Sequence, residues 1–260
     1  MIDSSVIELS RRDEFAVLTL NRPAVLNALS FQVLDLIDAR LDEIEASDAR
    51  CLIVTGAGDK AFCAGADISQ LADRTVEQEL VGTRKGQRVI GRLETLRQPT
   101  IALVNGYALG GGCELALACT FRLATPRARF GLPEVKLGLV PGYGGTQRLS
   151  RVIGHPVALE VMMSGRFIEA DEALRLGLVN RILMEGDALA ESMEFGRSFT
   201  RWSLPALRFI RDAVRQGAGV PLHEALEIEA QMSTLSYRTE DGREGLQAFL
   251  SKRVPRFNDR

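Results

Sequence analysis

Histidine is nearly absent: the 260 residues hold only two, His155 and His223. They stand far apart and neither belongs to an H-E-x-x-H pattern, so the sequence offers no metal site. Cysteine is scarce too. Cys51, Cys63, Cys113 and Cys119 form no C-x-x-C pair and each has apolar neighbours. They read as reduced core thiols of a cytoplasmic protein. Neither charge sign dominates: 32 Lys and Arg against 34 Asp and Glu leave a formal net charge of −2. That balance argues against a nucleic-acid surface built on bulk positive charge. No apolar run is long enough to span a bilayer, and Met1 to Arg12 is polar with no secretory pattern. No Gly-Lys-Ser/Thr follows a glycine run, which weighs against a phosphate loop. There is no low-complexity tract and no tidy short repeat. What remains is an ordinary composition in a chain long enough to bury a substantial core, as one large domain or a domain with an appendage.

The informative stretch runs from Asn105 to Leu149. A buried-type strand, Ile101 to Val104, leads into Asn-Gly-Tyr-Ala-Leu-Gly-Gly-Gly-Cys-Glu. The triplet Gly110, Gly111, Gly112 opens an apolar helix from about Cys113 to Cys119. Glycines leave backbone N–H groups uncovered, and a helix start adds partial positive charge. That geometry suits an anion, or a carbonyl oxygen about to become one. Glu114 lies in the first turn of the same helix, and Glu134 follows Pro133 in a loop. Taken singly, each feature has a bland explanation: a tight turn, a dipole partner, a solvated loop residue. Together they propose an oxyanion hole beside two carboxylates. Glu114 sits among Leu115, Ala116, Leu117 and Ala118, a costly place for an idle carboxylate.

The rest of the chain reads as strands mixed with helices to about 185, then a helical tail. Phe15 to Leu20 is a buried strand closed by Asn21-Arg22-Pro23. Ser30 caps a helix to about Ala46, with Val33, Leu34, Ile37, Leu41 and Ile44 on one face. Cys51 to Thr55 and Phe121 to Ala124 are further strands. Glu77 to Leu96 has a helical pattern, but Gly82, Gly86 and Gly91 interrupt it, so it is expected to fray or break and to serve as a flap. Phe62 to Ile68 is a run of small residues that lets a ligand approach the backbone, although on this segment alone an ordinary turn is the better explanation. Helices follow at Thr146, at Glu169 to Leu176, and near 187–200, 203–216, 221–236 and 240–252, with a strand at Val179 to Leu183. The tail's Leu226, Ile228, Met232 and Leu235 need a partner, from the chain's own body or another subunit.

With these motifs in view, the sequence strongly resembles the enoyl-CoA hydratase/isomerase family, the crotonases, from about Val17 to Phe257. The resemblance rests on Leu20-Asn21-Arg22-Pro23, Ala64-Gly65-Ala66-Asp67-Ile68, Asn105 to Glu114, Pro133-Glu134 and Pro141-Gly142-Tyr143-Gly144-Gly145-Thr146-Gln147-Arg148-Leu149. It implies an α/β fold, a crotonase-like spiral of ββα turns over 1–185. It also implies a C-terminal helical part over 186–260 used in trimerisation, and a homotrimer or a hexamer of two trimers. The family's oxyanion hole maps onto the N–H groups of Ala66 and Gly111, and its two hydratase acids onto Glu114 and Glu134. Ala64, Asp67 and Ile68 resemble the loop that receives coenzyme A; Phe249 and Lys252 resemble C-terminal residues that approach its nucleotide from a neighbouring subunit. Ala24 and Ser69 stand where relatives often carry lysine, which leaves fewer cations for the CoA phosphates. Tyr143 replaces a frequent alanine and is read as packing.

The resemblance implies reversible addition of water to a 2-enoyl-CoA, with no metal, flavin or nicotinamide, because carbon's overall oxidation state is unchanged. Coenzyme A is then part of the substrate, and no nucleic acid or membrane partner is expected. Other activities of the family stay open, namely an enoyl-CoA isomerase or a dehydratase or lyase on a specialised acyl-CoA. A catalytically silent RNA-binding relative fits less well, since both acids and the glycine donors are present.

Overall fold

A computed structural model describes residues 4–184 and 186–260. Residues 1–3 of the polar N-terminus, and residue 185 where the 1–185 and 186–260 parts meet, lie outside that description. The elements in chain order begin with β1 (Ile7–Arg12), β2 (Phe15–Leu20), α1 (Phe31–Ala46), β3 (Cys51–Gly56), β4 (Ala61–Cys63) and α2 (Val76–Thr95). Next come β5 (Thr100–Val104), β6 (Tyr107–Leu109), α3 (Gly111–Ala118), β7 (Phe121–Ala124) and β8 (Arg129–Gly131). They are followed by α4 (Gly145–Ile153), α5 (His155–Ser164), β9 (Ile168–Glu169), α6 (Ala170–Arg175) and β10 (Arg181–Ile182). Four helices complete the chain: α7 (Ala188–Thr200), α8 (Leu204–Gly217), α9 (Leu222–Ser236) and α10 (Glu240–Leu250).

Two sheets explain how the chain winds. The larger has the order β1-β2-β3-β5-β7-β10 and the smaller β4-β6-β8-β9. Each turn of the spiral places one long strand in the large sheet, one short strand in the small sheet, and then a helix: β3-β4-α2, then β5-β6-α3, then β7-β8 with α4 to α6. Pairing from β2 to β10 across the large sheet is parallel, as strands joined by long crossover connections can be. Among the described residues the entering hairpin β1-β2 is the one antiparallel pair of the large sheet, and β8-β9 is that of the small sheet.

Because side chains alternate along a strand, the large sheet feeds two cores. Ala16, Leu18, Leu52, Val54, Ala102 and Val104 join the apolar faces of α1, α2 and α3. Phe15, Val17, Ile53, Ile101 and Leu103 face the other way and meet Met193 of α7. Strands buried on both faces read as continuous apolar runs, which is why these were visible in the sequence.

One expectation is corrected: α2 is a continuous helix of 20 residues. Thr75 and Gln78 close a capping box at its start. Farther along, Arg92 binds Asp38 at 2.7 Å and Asp42 at 2.6 Å on α1. Its glycines are packing points. A Cβ on Gly82 would lie 2.7 Å from the Phe31 ring, and one on Gly86 would overlap the Tyr143 ring. Tertiary contacts therefore outweigh the poor helix propensity of glycine. The strand expected over Val179 to Leu183 pairs only at Arg181 and Ile182.

The C-terminal helices differ from the body. α9 buries none of its residues and α8 only Leu204. No helix among the described residues is long and apolar enough to cross a membrane.

Candidate active site

The small sheet and the glycines around it bring the separate motifs to one place. Gly110 adopts φ 51° and ψ −127°, a conformation L side chains avoid, and so turns β6 into α3. Its N–H donates to Gly131 O at 2.9 Å, tying β6 to the strand that precedes Pro133. Gly65, at φ +113°, makes the matching approach from the β4 side, where a Cβ would lie 3.1 Å from Leu109 O. The Ala64–Ile68 segment is therefore pressed against the start of α3.

Two backbone amides lie close together there. Leu29 and Ala66 form a single parallel bridge, in which Leu29 N donates to Gly65 O at 2.8 Å and Asp67 N to Leu29 O at 2.9 Å. Those bonds use the Gly65 carbonyl and the Asp67 N–H and leave Ala66 N without a backbone partner among the described residues. Gly111 is the first residue of α3, where N–H groups have no intrahelical acceptor, and no side chain caps the helix. A Cβ on Gly111 would lie 3.4 Å from Ala66 N, so the two donors are neighbours. Both residues line one cavity of 670 Å³ together with Glu114, Glu134, Ala64 and Ile68.

Glu114 is 1% exposed. Its Oε1 accepts from Tyr143 N and from Gly145 N, each at 2.7 Å. The Pro141–Gly145 turn is thus folded onto the carboxylate. Burial raises the Glu114 pKa from 4.5 to about 7, the two amide bonds oppose the shift, and Glu134 adds to it. Glu134 sits in a 3-10 turn, Pro133–Leu137, whose start is fixed by the proline. A Cβ on Gly110 would lie 2.9 Å from Glu134 Oε1, so only glycine admits the carboxyl over the head of α3. Its Oε2 is shielded and takes no hydrogen bond among the described residues. Burial raises the Glu134 pKa as well.

Other expected residues fall outside the cavity. Asp67 binds Arg22 at 3.4 Å and accepts from Ser69 Oγ at 2.7 Å, which fixes the loop rather than facing the pocket. Phe249 and Lys252 lie at the end of α10, exposed, and do not line the cavity within one chain. Sequence reading missed Asn27. It is buried, adopts φ 59°, and donates to Ala57 O at 3.0 Å and Ala61 O at 2.8 Å while accepting from Arg22 N at 2.9 Å. Asn27 lies four residues past the Leu20–Pro23 motif, and an asparagine among apolar Leu26, Ala28 and Leu29 was its only signal. The backbone donors Tyr143 N and Gly145 N also carried no side-chain signal of their own.

Two interleaved sheets, with paired amides beside one buried and one half-buried glutamate, define the crotonase-like spiral. The chain belongs to the enoyl-CoA hydratase/isomerase family, whose sequence model matches residues 10–260. It is 41% identical over 247 residues to the short-chain-enoyl-CoA hydratase of Clostridium acetobutylicum, covering 94% of each protein. It is likewise 41% identical over 253 residues to the crotonyl-CoA hydratase of Syntrophomonas wolfei, covering 96% of this chain and 97% of that one. Among solved structures, an enoyl-CoA hydratase from Bacillus anthracis superposes with a TM-score of 0.92 at 38% identity, over 98% of this chain and all of that one.

Proposed function

We propose that this protein is an enoyl-CoA hydratase, adding water reversibly to 2-trans-enoyl-CoA to give 3-hydroxyacyl-CoA. The observation that carries the reading is the cavity itself, which gathers two amides without partners among the described residues and two carboxyls with raised pKa. The names of the relatives point the same way. A 2-enoyl thioester is electrophilic at C3, and attack by water builds negative charge on the thioester oxygen. Ala66 N and Gly111 N meet that charge and favour the enolate-like state over the ground state. Glu114, held by its two amide bonds, orients and activates the water. Glu134 delivers the proton to C2. Because burial resists ionisation of both acids and Glu134 adds to that resistance at Glu114, one charged and one protonated member is their natural resting state, and the shared proton belongs to the pair.

In this reading Ala64 and Ile68 border the coenzyme A path. Phe249 and Lys252 reach the nucleotide of a neighbouring subunit in a homotrimer or a dimer of trimers, and the apolar face of α9 supplies the contact. The carbon skeleton is neither oxidised nor reduced, so the reaction needs no cofactor. Four buried free thiols suit a cytoplasmic setting.

The test is to supply crotonyl-CoA and a 3-enoyl-CoA separately. Hydration predicts loss of conjugated absorbance with crotonyl-CoA at a rate far above any formation of conjugated product from the 3-enoyl thioester. The opposite ratio would make the protein an isomerase.

A further inference from the structure

Tyr143 is the residue at which this chain departs most visibly inside the cavity. It is 7% exposed and its main chain is fixed on both sides. Its N–H donates to Glu114, and its carbonyl accepts from Arg148 Nη1 at 2.7 Å. Arg148 in turn grips Glu94 of α2 at 2.8 and 2.9 Å. This frame fixes the direction in which the side chain leaves the main chain. It is wedged between two glycines: a Cβ on Gly111 would lie 3.2 Å from Cδ2, and a Cβ on Gly86 would lie 2.7 Å from Cζ. A mid-helix glycine weakens a helix, so Gly86 beneath an aromatic ring is a fitted pair.

The position of the ring matters more than its fit. Gly111 supplies one of the two proposed thioester donors, and Glu114 the proposed water-activating group. An acyl chain that passes C3 at this point meets the ring. Beyond it, the cavity wall is the face of α2 that carries Glu79, Thr83 and Gln87, four residues apart. Glu79 pairs with Arg74 at 3.1 Å, and Gln87 donates to Gly142 O at 2.8 Å. Burying an alkyl tail against that stripe strips polar groups of water with nothing to replace it. The apolar Ile68, Leu139 and Val140 are each half exposed or more, so they shape the mouth and not the depth.

We propose that Tyr143 sets chain length: its ring, seated on Gly86, closes the acyl chamber so that the site takes short 2-enoyl thioesters and rejects long unbranched ones. This rests on the hydratase reading for its substrate class, and its test is chosen to separate the two. Saturated acyl-CoAs cannot be hydrated, so their binding reads the chamber alone. Calorimetry with butyryl-CoA and decanoyl-CoA should show no gain for the longer chain on the wild-type protein. Tyr143→Ala should shift the ratio toward decanoyl-CoA by roughly tenfold or more, the scale of a few methylenes in an apolar pocket. Tyr143→Phe, which keeps the ring, should retain the wild-type ratio, and Tyr143→Leu covers the case in which the alanine variant fails to fold. The same shift should appear in kcat/KM for 2-decenoyl-CoA against crotonyl-CoA, carried by KM. A wild-type preference for decanoyl-CoA, or an unchanged ratio in folded Tyr143→Ala and Tyr143→Leu, would overturn the proposal whatever the hydration rate. Chain-length selection in binding, with neither enoyl thioester hydrated, would sink the hydratase reading and leave the gauge standing.

Discussion

Glu114 and Glu134 line one cavity, yet the chain holds their two regions by opposite means. Glu114 projects from a fully buried helix, and two backbone amides grip one oxygen at 2.7 Å each. Glu134 projects from a short 3-10 turn that buries none of its residues, and its Oε2 has no partner among the described residues. The first arrangement fixes an acceptor in space. The second leaves a carboxyl free to give up a proton. Similar side chains, both with raised pKa, are thereby suited to different tasks, which is how environment divides labour between two acids.

The largest effect expected from that difference is on rate. Glu134→Gln removes the proposed C2 proton donor while keeping its shape, and should lower kcat for crotonyl-CoA by roughly 10²–10⁴. Near-normal turnover by the folded variant would erase the distinction between the two regions. The pH profile sharpens it. With the Glu114 pKa raised to about 7, kcat/KM of the wild-type protein should fall as the pH drops through about 7, because the carboxylate proposed to activate water takes up a proton. Glu134 contributes to that elevation, so in Glu134→Gln the acid limb of the residual activity should move to lower pH.

Stability carries the next effect. Glu114 holds its proton up to about 7 in the fold against an ordinary 4.5, so the native chain binds a proton that the unfolded chain has released. Stability should therefore fall as the pH rises from about 4.5 through 7, and stay at the lower level above. Glu114→Gln cannot ionise, and its Oε1 can accept the same two amide bonds. It should lose activity yet exceed the wild-type protein in denaturant stability at pH 8 by on the order of 2–3 kcal/mol. Equal pH dependence in both would mean that burial does not penalise the charge. The smallest effect concerns the far end of the molecule. Leu226 of α9 is half exposed, and if α9 makes the proposed subunit contact, Leu226→Asp should lower the mass seen in sedimentation relative to the wild-type protein, with little change in unfolding of the body; an unchanged mass would remove α9 from the proposed contact.

Much of this was legible in the sequence, for physical reasons. Long parallel strands buried on both faces, such as Cys51–Gly56 and Thr100–Val104, announce themselves as apolar runs. Ser30 as a cap was equally plain, and its side chain accepts from Val33 N at 3.1 Å. The small sheet was not legible. Its strands hold two or three residues each, too few to show a period of two, and Tyr107–Leu109 and Ala61–Cys63 hide inside glycine-rich motifs. Continuity of α2 was misread because a glycine's cost shows in sequence while the ring that fills its space does not. The two glutamates stood out by chemistry. The groups that hold Glu114 did not: Tyr143 N and Gly145 N act through the backbone, which no residue type encodes.

The central claim is that the two acids work as one unit on a single water. It is tested most directly by measuring crotonyl-CoA hydration for Glu114→Gln, Glu134→Gln and the double variant. If the claim holds, each single change removes most of the catalysis and the double variant is slower than the worse single one by less than about tenfold, the behaviour of residues that act together. Losses that multiply in the double variant, or a single change that leaves the rate intact, would contradict it.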